Sequence, residues 1–251
     1  MAQVVSFSNQ KGGVGKTTSC VNLACFVASL GYKTLLVDFD PQANATSAMG
    51  VFDKKIENSI YDALLKGDAN ACVRKGKYAD FIPSSRDLAG AELEIANAKN
   101  RDYVLKTALD PVKDKYDFVF IDCAPSINLT LINALSASDG VIVPLQCEYF
   151  ALEGLNQLLN TVRLVKKHSN ESLRLYGILL TMFRQTKLSR EVEQSVRETF
   201  KDKVFETVIP QNVRLAESPS FGQPIIEFDR RCSGAIAYEK LAKEYISKFK
   251  E

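Results

Sequence analysis

The run NQKGGVGKTTS, residues 9–19, narrows the folds open to this chain more than any other segment. Gly12, Gly13 and Gly15 give a backbone that can wrap closely around an anion, and the N–H groups of a following helix point at the same spot. Before the loop, QVVSFS (3–8) reads as a buried strand. After it, Val21, Leu23, Ala24, Phe26, Val27 and Leu30 recur at helical spacing over 17–30, and Gly31 is placed to end the helix. KTLLVD (33–38) reads as the next strand. A strand, loop, helix and strand in that order form a βαβ unit, so the sheet is parallel here.

The loop is a variant of the phosphate-binding pattern G-x-x-x-x-G-K-[ST], with Gln10 where the first glycine usually falls. Residues Lys11, Gly12, Gly13, Val14, Gly15, Lys16, Thr17 and Thr18 are the expected phosphate cradle. Lys16 is placed to reach the β- and γ-phosphates of ATP, and the Thr17 hydroxyl to coordinate Mg²⁺. Strand-end carboxylates are the natural complement. LLVDFD delivers Asp38 and Asp40, and FVFID delivers Asp122, to the sheet edge where the loop sits. Asp122 suits a Walker-B role holding Mg²⁺ through its water shell. Asp38 is expected beside the metal and the Thr17 hydroxyl. Asp40, in a loop before Pro41, is placed to orient or deprotonate the attacking water. Any of the three, taken singly, is also open to the reading of a capping residue.

Lys11 is a second cation in a loop that Lys16 already serves. It is either a solvated surface lysine or a group aimed outward at a nucleotide held by another molecule, where it supplies positive charge as an arginine finger does.

Downstream, DFVFID (117–122), GVIVPL (140–145), LYGILLTM (175–182) and VFETVIP (204–210) read as strands, mostly continuous apolar runs as in sheets covered on both faces. Helical patterns fall at Leu129–Leu135, Ala151–Val165, Ser189–Phe200 and Ala235–Phe249. Residues 50–116 predict two or three helices, including 87–98, and a short strand near FIPS (81–84). No repeat or linker interrupts the pattern. The expectation is an α/β fold, a doubly wound, mostly parallel sheet flanked by helices, in one domain over residues 1–251.

Composition excludes several classes. No run of eighteen apolar residues is present and the start has no signal-peptide pattern, so a cytoplasmic protein is expected. The six cysteines form no C-x-x-C pair and the single His168 has no partner to share a metal with, so buried free thiols in a reducing compartment and a surface histidine are expected. Residues 160–251 carry 17 Lys/Arg against 12 Asp/Glu, and the rest 15 against 18. Such a bias is either a solvated face or an anion-binding one.

Together QKGGVGKTT, VDFDPQANAT, FIDCAPS, PLQCEYFALEGL and VIPQNVRLAESPSFGQPI resemble the ParA/Soj family of chromosome- and plasmid-partitioning ATPases, of the deviant Walker type, from residue 3 to about 246. The resemblance implies an ATP-sandwich homodimer in which Lys11 contacts the partner's nucleotide. It also implies that Asp40 is hydrolytic and Asp122 the Walker-B residue, with adenine contacts near Thr181–Met182 and Pro210–Asn212 (Met182, Pro210 and Asn212). It implies non-specific binding of double-stranded DNA by the ATP-bound dimer, hence nucleoid association, with Arg214 as a contact and Lys187 and Arg190 as looser matches. A ParB/Spo0J-like centromere-binding protein is the implied stimulating partner. Two departures stand out. Ala124 replaces a common proline, and FRQTKLSR (183–190) is unlike its counterparts. Only eight residues precede Asn9, so no N-terminal helix-turn-helix is expected.

Three rivals remain at this stage. A MinD-like membrane ATPase needs an amphipathic membrane helix, and the stripe Ile236, Leu241, Tyr245, Ile246 and Phe249 is the one candidate. Covering the sheet is the competing use of that stripe, and no stable membrane association is expected. An iron–sulfur reductase needs cysteines in glycine-rich motifs that Cys123 and Cys147 lack. A scaffold without hydrolysis needs Asp40 to be inert.

Overall fold

The computed structural model describes residues 2–53, 55–148 and 151–249. Its strands are β1 (Gln3–Phe7), β2 (Thr34–Phe39), β3 (Asp80–Ile82), β4 (Phe118–Cys123), β5 (Gly140–Gln146) and β6 (Arg174–Thr181). The helices are α1 (Lys16–Ser29), α2 (Asn44–Ala48), α3 (Ile60–Lys66), α4 (Ala91–Ala96), α5 (Val104–Lys113) and α6 (Leu129–Ser136). Then follow α7 (Ala151–His168), α8 (Lys187–Phe200), α9 (Val213–Glu217), α10 (Ile225–Phe228) and α11 (Ser233–Phe249).

The strands form one sheet in the order β3-β2-β4-β1-β5-β6, and every pairing is parallel. After β1 the chain crosses to one side of the sheet, and after β4 it crosses to the other. The loop following β1 therefore opens at the point where the winding reverses, the usual ligand position of such sheets.

Alternation along each strand splits the core in two. Phe118 and Phe120 of β4 face a layer with α1 and α11, while Val119 and Ile121 face α5, α6 and α7. In the first layer Tyr245 of α11 meets both phenylalanines at 5.5 Å. Tyr238, Leu241 and Tyr245 are wholly buried, and burying each such side chain contributes about 1.5–3 kcal/mol. The stripe on α11 is thus consumed in covering the sheet. Ile236 alone departs from the expectation and stands exposed. No described helix is long and apolar enough to cross a membrane.

One expected strand is absent. Residues 204–210 run parallel to β6 but make only isolated bridges at Val204 and Pro210. The Glu206 and Thr207 N–H groups donate instead to the Glu244 carboxylate of α11, at 2.8 and 2.9 Å, which breaks the ladder between the bridges. Residues 87–98 also differ from the single helix expected. A short 3₁₀ segment at Arg86–Gly90 precedes α4. All six cysteines are free thiols, five of them buried.

Candidate functional site

The loop between β1 and α1 takes the shape its glycines permit. Gly13 and Gly15 have φ of +73° and +82°, a region that strains any other residue, and Gly15 is the N-cap of α1. Asn9 fastens the entrance. Its amide donates to the Pro144 carbonyl at 2.7 Å, and its Oδ1 accepts from the Lys11 N–H at 3.0 Å. Thr181, at the end of β6, donates to the Val14 carbonyl at 2.8 Å.

Lys16 is buried, and its ammonium donates to the Lys11 carbonyl at 3.2 Å. Burial lowers its pKa, opposed by the charges of Asp122, Cys123 and Asp40. Asp122 is fully buried, and among the described residues neither carboxylate oxygen has a partner at hydrogen-bonding distance. Burial pushes its pKa well up, the Asp38 charge adds to this, and the nearby Thr17 hydroxyl and Lys16 ammonium pull the other way. An orphaned buried carboxylate is costly unless something cationic completes it. Among the described residues no three carboxylate, thiol or imidazole groups converge into a metal cage. One free carboxylate beside a threonine hydroxyl and an anion loop fits Mg²⁺, which prefers one or two protein groups plus phosphates and water.

Asp38 is engaged differently from the expectation. It is the register partner of Asp122 on the neighbouring strand. Its Oδ2 accepts from the Thr46 N–H at 2.7 Å and the Thr46 hydroxyl at 2.6 Å, and its Oδ1 from the Asp40 N–H at 3.2 Å. Burial raises its pKa to about 6 against those bonds. Through these bonds Asp38 supports the loop that carries Asp40, while its charge still reaches Asp122. Thr46 was invisible to pattern reading because nothing local marks a threonine seven residues beyond Asp38's neighbour Phe39 as its partner.

Asp40 is buried, and its Oδ1 accepts from the Gln42 N–H at 2.9 Å. Lys11 is half-exposed and its ammonium pairs with Glu148 of the same chain. That partner lies in PLQCEYFALEGL, whose Tyr149 and Phe150 are outside the described residues.

The residues expected around adenine do converge. Thr181, Met182, Pro210 and Asn212 line a cavity of about 590 Å³ that begins at Gly15 and Thr18, within the range of small-ligand pockets. Met182 has φ +50°, and Asn212 is occupied in capping α9 through the Leu215 N–H, at 3.2 Å. The basic residues do not line this cavity. Lys187 and Arg190 are exposed on the first turn of α8. Arg214 is tied down by Glu217 at 2.8 Å and Asp229 at 3.1 Å, and lies over the Phe228 ring at 4.3 Å.

The electrostatics of Asp122 make a stability prediction. A carboxyl whose pKa rises on folding favours the fold while protonated, and that contribution is lost as pH climbs through the folded value. In the absence of nucleotide near pH 7.5, Asp122→Asn is therefore expected to stabilise the protein by about 1–3 kcal/mol, roughly 3–9 °C in Tm. Thermal unfolding at that pH and again near pH 4.5 checks it, since the advantage shrinks when the parent carboxyl is protonated.

A family model described as an AAA domain matches residues 2–175. Sporulation initiation inhibitor protein Soj of Bacillus subtilis is 50% identical over 97% of this chain and 98% of its own length. Chromosome-partitioning ATPase Soj of Treponema pallidum is 47% identical over 99% of this chain and 98% of its own. Among solved structures, cobyrinic acid a,c-diamide synthase from Mycobacterium smegmatis with bound ADP and magnesium aligns with TM-score 0.85 at 34% identity, covering 97% of this chain and 93% of that one. A putative plasmid partition protein from Borrelia burgdorferi B31 bound to AMPPNP aligns with TM-score 0.84 at 26% identity, covering 99% and 100%.

Proposed function

Since the chain belongs to the Soj/ParA family of partitioning ATPases, we propose that it works as an ATP-driven dimerisation switch that binds and leaves DNA. ATP binds across residues 11–18, with its base in the cavity beside Met182 and Pro210. The observation carrying this reading is the unpartnered Asp122 carboxylate buried next to Lys16 at the mouth of an anion loop. Thr17 and Asp122 would hold Mg²⁺, while Asp38 steadies the strand end beside them. Bound there, Mg²⁺ would supply positive charge against the phosphates during transfer.

Lys16 grips the chain's own β- and γ-phosphates. Lys11 leaves Glu148 and reaches the nucleotide of a second copy, and Asp40 orients water in line with the γ-phosphate. The site is incomplete in one copy, so turnover is slow until two close. A centromere-binding ParB/Spo0J-like partner accelerates it. The closed homodimer binds double-stranded DNA through phosphates, without reading bases. Arg214 joins that contact by exchanging Glu217 and Asp229 for phosphate oxygens, with Lys187 and Arg190 as flanking charges. The whole chain acts as one ATPase domain, cytoplasmic and nucleoid-associated.

The test is nucleotide-dependent binding to random-sequence duplex DNA. With ATP–Mg²⁺ the protein is expected to elute as a dimer and to bind; with ADP it is expected to do neither. If the dimer neutralises about five phosphates, a fourfold rise in salt weakens binding by roughly 10²–10³-fold. Equal binding with and without nucleotide, or no salt dependence, defeats the reading.

A further inference from the structure

Asp40 has to be held still to act on a water, yet among the described residues only the Gln42 N–H, within its own turn, hydrogen-bonds its carboxylate. What fixes the loop is Asp38, whose two oxygens grip it at both ends. Oδ1 accepts from Asp40 at the start, and Oδ2 accepts twice from Thr46 at the finish. The Thr46 hydroxyl also accepts from the Ser84 N–H at 2.8 Å, just beyond β3. Thr46 and Ser84 are both essentially inaccessible to solvent. One hydroxyl thus joins three chain segments, the end of β2, the helix after the Asp40 loop and the end of β3. Between its anchored ends the loop carries strain of its own, with Ala43 at φ +53°, so it needs an external clasp to stay in one shape.

We propose that Thr46 is a positioning residue for ATP hydrolysis, whose hydroxyl clasps the loop from Asp38 to Thr46 and so sets where Asp40 presents its carboxylate. This rests on the hydrolytic role given to Asp40. The hydroxyl touches neither phosphates nor water; it acts through Asp38 and the backbone. Valine keeps the shape but removes the donor to Asp38 and the acceptor for Ser84. Misplacement of a reacting group by about 1 Å costs on the order of 10²-fold in rate.

The experiment is steady-state phosphate release by Thr46→Val, Thr46→Ser and Ser84→Ala, each beside the parent. Thr46→Val is expected to lower kcat by about 10- to 100-fold while KM for ATP stays within about threefold. Thr46→Ser, which restores the hydroxyl, is expected to recover the parental rate within about threefold. Ser84→Ala is expected to be silent, because the clasp uses only the Ser84 backbone and its hydroxyl has no partner. A Thr46→Val protein that hydrolyses at the parental rate, or a serine variant as impaired as the valine one, overturns the proposal.

Should the valine variant not fold, amide exchange on the parent decides. Thr46 and Ser84 amides are expected to exchange slowly and together, and a Thr46 amide exchanging as freely as that of exposed Phe52 refutes the clasp. A parent that releases no phosphate counts against the hydrolytic reading of Asp40, and the exchange data then judge the clasp separately.

Discussion

Lys11→Ala is expected to leave ATP bound and to lower its hydrolysis by roughly 10³–10⁵-fold, the range for a charge supplied across an interface. The geometry separates the two lysines of the loop. Lys16 is buried beside Asp122, within the cradle. Lys11 stands half-exposed at the rim and pairs with Glu148, an exposed ion pair contributing at most about 1 kcal/mol. So weak a tether yields readily to the several negative charges of a triphosphate. Removing Lys11 therefore touches ATP affinity little and transition-state charge greatly, which appears in kcat rather than KM. Mixing gives the sharper result. Lys11→Ala and Asp40→Ala proteins, each inactive alone, are expected to regain hydrolysis when combined. In a mixed dimer the first supplies Asp40 beside its own ATP and the second supplies Lys11 from across. A mixture as inactive as its components shows that both residues serve one chain's nucleotide, and the cross-subunit model fails.

Asp40→Ala is expected to trap the opposite end of the cycle. Loss of a positioned general base costs about 10²–10⁴-fold in rate, while Lys11, Lys16 and the anion loop remain to bind ATP and close the dimer. Gel filtration with ATP–Mg²⁺ should give a lasting dimer that stays on random-sequence DNA long after the parent has dissociated. Because, among the described residues, the Asp40 carboxylate accepts only the Gln42 N–H, its removal leaves the bonds of Asp38 to Thr46 intact, and the fold should hold. A variant that still releases phosphate at the parental rate, or leaves DNA as the parent does, argues that another group directs the water.

Both predictions begin from residues legible in the bare sequence, and the reasons are local. Gly12, Gly13 and Gly15 between an apolar strand and a helical pattern describe one backbone shape whatever surrounds it, and two of them do adopt positive φ. Strand ends are equally readable in a parallel sheet. Once β1, β2 and β4 are identified, Asp38 and Asp122 must reach the same edge, and the register pairs them directly. The α11 stripe was legible as sheet cover for a similar reason, since its spacing matches one buried face.

What the sequence determined by itself was therefore the parallel βαβ scaffold, the anion loop and the edge at which its carboxylates arrive, because each depends on periodicity and on backbone freedom within a few residues. Which carboxylate is unpartnered and which is spent was decided only in three dimensions. Asp38 and Asp122 end similar apolar strands, yet Thr46 satisfies one, and no described residue comes within hydrogen-bonding distance of the other. In the same way Glu244 cancels a strand at 204–210, Glu217 and Asp229 hold Arg214, and Glu148 holds Lys11. In each of these cases a side chain's hydrogen-bonding and charge capacity is claimed by its neighbours in the fold. The folded chain fixes those neighbours, and the pattern of residues along it does not.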